Sequence, residues 1–209
     1  MRKSIIAILM TFCLSIMTYA QTPRDRATEL KEQAQSSLNQ KDYIKARYLF
    51  KKAYEAFATR ENYPQAIESG VQANALYVRE NFYKEGFELC RDMDQLIWAG
   101  EQNQKKVFYD LRFLVNKERL QMYTALKNPA QAKTQLNKLE ETANLAKNDS
   151  LTEVLLYTKA NYYYTFNQNT QGDACFRKLI NQYKEKKDYA KVSDCYKNLI
   201  GIARKANNA

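Results

Sequence analysis

Residues 46–53, ARYLFKKA, place a small side chain at Ala46, an aromatic one at Phe50 and a second small one at Ala53. The same cassette, a small residue followed by larger or apolar residues four and seven positions later, recurs three more times along the chain. The other copies are Gly86, Cys90, Met93, then Ala132, Leu136, Leu139, then Gly172, Phe176, Leu179. Successive copies begin 40, 46 and 40 residues apart. A fixed period of this kind is typical of solenoids, in which each unit buries its apolar face against its neighbours.

Residues that typically begin or end helices occur along the chain at positions consistent with the cassettes. Asp42 and Asp188 can each cap the start of a helix, and Ser150 with Glu153 fits a capping box. Gly100 is expected to end a helix in the left-handed conformation. The chain has only five glycines and three prolines, so we predict an all-α protein. The helices are expected near residues 23–39, 42–58, 62–80, 82–99, 103–126, 129–147, 150–167, 170–185 and 188–207.

The cassettes fall on the second helix of successive hairpins, and there the chain resembles the tetratricopeptide repeat family. That family has small, aromatic and small residues at the three cassette positions, as at Ala46, Phe50 and Ala53. Its first helix carries a leucine, a small residue and a tyrosine spaced four and three apart. The matching first-helix residues are Leu156, Ala160 and Tyr163. The period of the family is about 34 residues, and we place the additional residues of this chain in lengthened first helices.

The resemblance implies a right-handed α-solenoid of about four and a half stacked antiparallel hairpins. Its repeats would span approximately 23–60, 61–100, 102–147, 149–186 and, in part, 187–209. It also implies a concave face on the first helices that holds a protein or peptide segment. At the positions that line this face in the family, the chain has Lys31, Gln35, Asn39, Arg79, Lys117, Gln121, Asn161 and Tyr164. Such a mixture of amides, cations and a tyrosine suits an extended or acidic peptide.

The aromatic residues leave a second interpretation open. Three consecutive tyrosines cannot all enter one core, because they span about 200° of the helix circumference. If Tyr163 is the core residue that the family pattern implies, Tyr162 and Tyr164 flank it. The alternative is that each tyrosine fills space between helices while its hydroxyl reaches water. Trp98 is expected to be a wedge between repeats and not a binding platform.

The first 20 residues have the pattern of a secretory signal peptide. Arg2 and Lys3 precede a mostly apolar run, and small residues stand before a cleavage site after Ala20. We therefore expect a protein exported to the periplasm or the outer surface, with residues 21–209 forming a single domain. Loss of the two cations would lower the net charge from +10 to +8. This basic balance favours an acidic partner, whereas export argues against nucleic acid.

Three cysteines follow the expected cleavage site, an odd number for an exported chain. Cys90 occupies a cassette position, so we expect it to be a small buried apolar side chain. Cys175 and Cys195 lie on consecutive antiparallel helices, offset by about 6 Å along the helix axis. That offset strains a disulfide without excluding one, so the sequence leaves their pairing open.

The chain contains no histidine, which removes the commonest general base and metal ligand. It has no glycine-rich phosphate loop, no nucleophile elbow and no cysteines at metal-binding spacing. Acidic pairs such as Asp92 with Asp94 point to different sides of a helix. We therefore predict that the protein is not an enzyme and has no catalytic residue, no cofactor and no metal.

The sequence favours a non-enzymatic exported scaffold that binds a protein or peptide, without membrane insertion of the mature segment. The alternative is the extracytoplasmic sensory segment of a membrane-anchored signalling or transcriptional regulator whose chain continues past Ala209. A polyanion binder and an enzyme that works without histidine are further alternatives. The final helix carries Tyr196, Leu199, Ile200 and Ile202. Because it is too apolar to face water on all sides, we also expect self-association through this helix.

Overall fold

The computed structural model describes residues 25–207, with side chains to residue 203, and the regular elements in this range are all α-helices. The helices are α1 (Arg26–Asn39), α2 (Tyr43–Ala58), α3 (Tyr63–Arg79), α4 (Tyr83–Gln104), α5 (Tyr109–Ala125), α6 (Pro129–Ala146), α7 (Asp149–Thr165), α8 (Asn169–Glu185) and α9 (Tyr189–Asn207). The prediction of an all-α protein is therefore confirmed for this part of the chain. The expected signal peptide, residues 1–20, lies outside the described residues.

Most connections between the helices have the same geometry. One residue in each has the left-handed conformation, with φ between 50° and 64°, and these residues form two series with a spacing of 20 positions. They are Lys41, Glu61 and Asn81, then Lys127, Lys147, Asn167 and Lys187. In the first turn the N–H of Lys41 donates to the Leu38 carbonyl (3.0 Å) and that of Asp42 to the Ser37 carbonyl (2.9 Å), as in a Schellman motif. One helix and one turn thus make a unit of 20 residues, and two units make the 40-residue period.

The α4–α5 junction differs from the other turns and accounts for the single 46-residue interval. α4 continues to Gln104, and Lys105 has the left-handed conformation (φ 50°). Glu101, which is 7% exposed, accepts hydrogen bonds from Nε of Arg112 (2.7 Å) and from the N–H of Phe108 (2.8 Å). These two bonds hold the pKa of Glu101 below its usual value. In this interval the additional residues extend a second helix, so the prediction of a lengthened first helix is wrong at this junction.

Two predicted helix ends are also wrong. Gly100 lies inside α4, where a Cβ would come within 2.8 Å of the Phe108 ring and 2.9 Å of the Tyr63 ring. Glycine at this position permits the close approach of two rings and does not terminate the helix. α7 is capped by Asn148, whose Oδ1 accepts a hydrogen bond from the N–H of Ser150 (2.9 Å). Ser150 therefore lies within the helix and is not its cap.

The cassette residues form part of the buried core. All twelve cassette residues are buried, on the second helices α2, α4, α6 and α8. Each helix packs against the next one along the chain, and the first helix α5 also contacts the first helices α3 and α7. The buried side chains form three clusters in chain order, within α1–α5, α5–α7 and α7–α9. Packing between chain neighbours is what a helical repeat requires.

The cysteines Cys90, Cys175 and Cys195 are buried free thiols. Cys90 is fully buried, as predicted for a small apolar side chain, and burial raises its pKa to about 12. Cys175 and Cys195 lie in the same cluster, on α8 and α9, without forming a disulfide. Burial raises the pKa of both thiols above the usual value, so both stay protonated at neutral pH.

Replacing Lys41 with glycine should raise the free energy of unfolding. A side chain in the left-handed conformation costs roughly 1–2 kcal/mol, whereas glycine costs about 0.5–1 kcal/mol through the entropy of the unfolded chain. We expect Lys41→Gly to gain about 0.5–1 kcal/mol in urea denaturation. Lys51→Gly, at an exposed position inside α2, is the matched control and should lose about 1 kcal/mol. Equal losses in the two variants would contradict this account of the turn.

Candidate binding groove

The eight residues predicted to line one face all lie on first helices, namely α1, α3, α5 and α7. The structure brings some of them together. Lys117 and Gln121 on α5, with Asn161 on α7, line a cavity of about 520 Å³ between these two helices. Asn161 also lines a second cavity of about 810 Å³, together with Tyr164 on α7 and Leu199 on α9.

The other four predicted residues line neither of these two cavities; they are Lys31, Gln35, Asn39 and Arg79. The ammonium of Lys31 lies 2.8 Å from Oε2 of Glu68, so it joins α1 to α3. The side-chain amides of Gln35 and Asn39 bond to each other within α1 (3.1 Å). The guanidinium of Arg79 lies 3.9 Å from the ring centre of Tyr43. These four side chains contact other residues of the same chain and do not line either cavity.

The two cavities adjoin, because Lys127, Asn161 and Thr165 line both of them. Together they form a groove that runs from Lys117 on α5, across α7, to Leu199 on α9. We call it the first-helix groove. Because it crosses three successive first helices, its shape suits an extended ligand better than a compact one.

The polar side chains that line the cavity between α5 and α7 include two contrasting sets. Three hydroxyls donate to carbonyls of their own helices at 2.7–2.8 Å; they belong to Thr124, Thr158 and Thr165. By contrast, the side chains of Gln121, Lys127 and Asn161 have no hydrogen-bond or ion-pair partner within residues 25–203. An amide presents a donor and an acceptor, and an ammonium presents three donors. The cavity between α5 and α7 therefore offers two unpartnered amides and one unpartnered cation to a ligand.

Tyr164 is held in place by α8 and forms part of the groove wall. Its hydroxyl donates to Oδ1 of Asp173. Its ring lies against Gly172, where a Cβ would come within 2.8 Å of ring atoms. Burial, with the bond to Asp173, raises the pKa of Tyr164 well above its usual value. Tyr164 is therefore a fixed, neutral phenol that shapes the groove.

Among the three consecutive tyrosines, the structure buries a different one from the one that the family pattern implies. Tyr162 is 5% exposed and belongs to the α5–α7 cluster, where its ring centroid lies 5.0 Å from that of Phe166. Tyr163 is partly buried and packs between this cluster and the next one. Tyr163, which the family pattern places in the core, is therefore less buried than Tyr162, because it packs between two clusters and not inside one.

A buried carboxyl on α5 lies between α5 and α3, next in sequence to the groove residue Lys117. Glu118 is 1% exposed, and its Oε2 accepts a hydrogen bond from the amide of Asn74 on α3 (3.2 Å). Its Oε1 lies 3.5 Å from the ammonium of Lys117. Burial raises the pKa of Glu118 above its usual value. Because a buried charge is unfavourable, the ionised form of Glu118 destabilises the packing of α3 on α5.

Replacing Glu118 with glutamine should stabilise the protein at neutral pH. A raised pKa means that the folded protein holds this proton more tightly than the unfolded chain does. The contribution of Glu118 to stability is therefore greatest below its usual pKa of 4.5 and falls as pH rises through the raised value. Glutamine keeps an acceptor for Asn74 and does not titrate. The stability advantage of Glu118→Gln in urea denaturation should grow between about pH 4 and about pH 7.

Glu141→Gln is the matched control for this experiment, because Glu141 is exposed on α6. Its stability relative to the wild type should not change over the same pH range. A pH-independent difference for Glu118→Gln as well would show that burial does not perturb this carboxyl.

Lys127 and Trp98 differ in position from what the repeat pattern predicts. Lys127 lies in the turn after α5, outside the first-helix pattern, although the 20-residue spacing of the turns marks its position. Trp98 is 62% exposed and lines a separate cavity of about 610 Å³ with Val107 and Leu145. The prediction of a wedge between repeats is wrong, because the Trp98 side chain is mostly exposed and is not packed between helices.

No protein-family model matches the chain, and no curated protein matches it in sequence. Within the described range, no group of three or more potential ligand residues could hold a metal ion. The helices described there are also too short or too polar to cross a membrane.

Proposed function

We propose that this protein is a non-enzymatic scaffold that binds an extended protein or peptide segment in the first-helix groove. The observation that carries the proposal is the placement of Gln121, Lys127 and Asn161, unpartnered within the described chain, along one continuous groove. The proposal includes a tetratricopeptide-like, right-handed solenoid of about four and a half hairpins. Burial of the cassettes and the packing of each helix on its chain neighbours support that architecture.

The two amides match the chemistry of a peptide backbone. An extended segment carries backbone N–H and C=O groups that need partners when they are removed from water. Gln121 and Asn161, on facing helices, can each bind one such donor and one acceptor. Leu120 and Tyr157 add apolar walls to the same cavity. The cavity volume lies in the range of ligand sites, about 300–1,000 Å³.

The ammonium of Lys127 would form an ion pair with an acidic residue of the ligand. The ammonium of Lys117 is already 3.5 Å from the Glu118 carboxyl, whereas that of Lys127 has no carboxylate among the described residues. A charged pair at an exposed site contributes about 0.2–1 kcal/mol. The cation therefore acts mainly on the rate of association and on the choice of partner.

We also propose that binding takes place outside the cytoplasm, in the periplasm or at the outer surface. The support is the signal-peptide pattern of residues 1–20. The buried thiols suit an oxidising compartment, because a protonated thiol without access to solvent reacts slowly.

Peptide selection tests the proposed function. Random peptides of about 10 residues, which span about 33 Å when extended, are displayed on phage and selected on the chain from Gln21 onward. We expect the recovered binders to be enriched in Asp and Glu. The variant Gln121→Ala/Lys127→Glu/Asn161→Ala should bind them at least about 10-fold more weakly, a loss of about 1.4 kcal/mol. Its melting temperature should not change, because all three side chains are exposed.

The matched control makes the same three chemical changes on α6. The variant Gln131→Ala/Lys133→Glu/Asn137→Ala alters exposed residues of a second helix and should keep the affinity of the wild type. Equal losses of affinity in both variants would show that the peptides bind through general charge attraction and not in the groove. Selected peptides that bind the groove variant as tightly as the wild type would refute the site.

A further inference from the structure

The exposed indole of Trp98 lines a cavity of about 610 Å³ between α4, α5 and α6, none of whose lining residues also lines the first-helix groove. We call it the junction cavity, because Val107 and Tyr109 at the α4–α5 junction line it. Its apolar wall includes Trp98, Val107 and Leu145, which are 62%, 45% and 51% exposed. Three large apolar side chains that water reaches thus belong to one cavity. Such a grouping, in a cavity of this size, is typical of a ligand site.

Two guanidinium groups that line the junction cavity are already neutralised within the protein. Arg112 pairs with the buried carboxylate of Glu101, and Arg119 pairs with Asp94. The charge that the cavity presents to a ligand therefore depends on the other ionised groups in its wall.

The other ionised groups are one cation and one anion, both on α6. The side chains of Lys138 and Glu141 line the cavity, are exposed, and have no ion-pair or hydrogen-bond partner among the described residues. Because they are three positions apart, their Cβ atoms lie about 5–6 Å from each other. Lys52 and Glu55 have the same spacing on α2 but bond to each other at 2.7 Å. The pair on α6 thus presents two adjacent opposite charges that are not engaged with each other.

An amide on α5 adds a neutral polar group to the same wall. Asn116 is half-buried, and its side chain also has no partner in the described part of the chain. It offers a donor and an acceptor to a ligand.

We propose that the junction cavity binds a free α-amino acid with a large apolar side chain. An amino acid carries its carboxylate and its ammonium on the same carbon atom, so the two groups can pair with Lys138 and Glu141 at the same time. The amide of Asn116 can bind either group. The apolar side chain is removed from water against Trp98 and Leu145.

The charges of the cavity select a zwitterion over simpler ligands. A small anion is attracted by Lys138 and repelled by Glu141, and a small cation meets the reverse pair of forces. An apolar ligand without charges would remove both groups from water without a partner, which is unfavourable. A ligand with adjacent opposite charges pairs with both groups, so specificity comes from repulsion of its singly charged analogues as well as from attraction.

Fluorescence of Trp98 tests the site directly, because it is the only tryptophan of the chain. L-Leucine is titrated into the chain from Gln21 onward, which contains every described helix. The Trp98 emission should shift to shorter wavelength, with a dissociation constant below about 1 mM. Isocaproate is leucine without its ammonium, and isoamylamine is leucine without its carboxylate. Each analogue should bind at least about fivefold more weakly than leucine.

Neutral variants test the role of each charged group. Glu141→Gln should abolish the preference for leucine over isocaproate, and Lys138→Gln should abolish the preference for leucine over isoamylamine. Lys133→Gln changes an exposed residue of α6 outside the cavity and should bind leucine like the wild type. All three side chains are exposed, so the melting temperatures should not change.

The groove variant Gln121→Ala/Lys127→Glu/Asn161→Ala should also bind leucine like the wild type. Failure of the peptide site and failure of the amino-acid site are therefore distinguishable. A Trp98 emission that does not change at about 10 mM leucine would overturn the proposal. Equal binding of leucine and both analogues, or a Glu141→Gln variant that keeps its preference for leucine over isocaproate, would do the same.

Discussion

Close approach at the small cassette residues is the constraint on which the rest of the structure depends. A Cβ at Gly86 would lie 2.8 Å from Sδ of Met122, and one at Gly172 would lie 2.8 Å from the Tyr164 ring. At these two positions the second helices α4 and α8 approach neighbouring side chains so closely that a residue larger than glycine would force those side chains to move. The repeated Schellman turns give successive helices the same exit geometry. Repetition of one contact and one turn aligns the first helices, and the groove follows from that alignment.

The helices and the core could be predicted from the sequence, because apolar spacing determines burial locally. The cassette at Ala46 and its three copies are buried as expected. Prediction fails where contacts between helices override a local signal. Gly100 has the sequence of a helix end, yet its role depends on the rings of Tyr63 and Phe108. The true end of α4 depends on the bonds that Glu101 receives from the following helix, and no local pattern contains that information.

The groove could be predicted in part. Gln121 and Asn161 are 40 residues apart and so share a position on the first helices α5 and α7, and Lys117 lies one turn before Gln121, so the repeat pattern places all three on one face. Lys127 belongs to a turn, and the first-helix pattern has no place for it. Glu118 interrupts an apolar stripe, and only the packing of α3 against α5 shows that it is buried. Whether a polar side chain is free or already partnered depends on the packing of helices distant in sequence, which the spacing of residues does not give.

Hydrogen exchange of the variant Phe176→Ala tests most directly whether stability comes from contacts between neighbouring helices. Phe176 is fully buried in the α7–α9 cluster, and loss of its ring costs about 3–5 kcal/mol. If stability is a sum of contacts between neighbouring helices, amide exchange in the variant should be faster in α7, α8 and α9 and unchanged in α1 to α4. Equally accelerated exchange in all helices would reveal one cooperative core and would contradict the account.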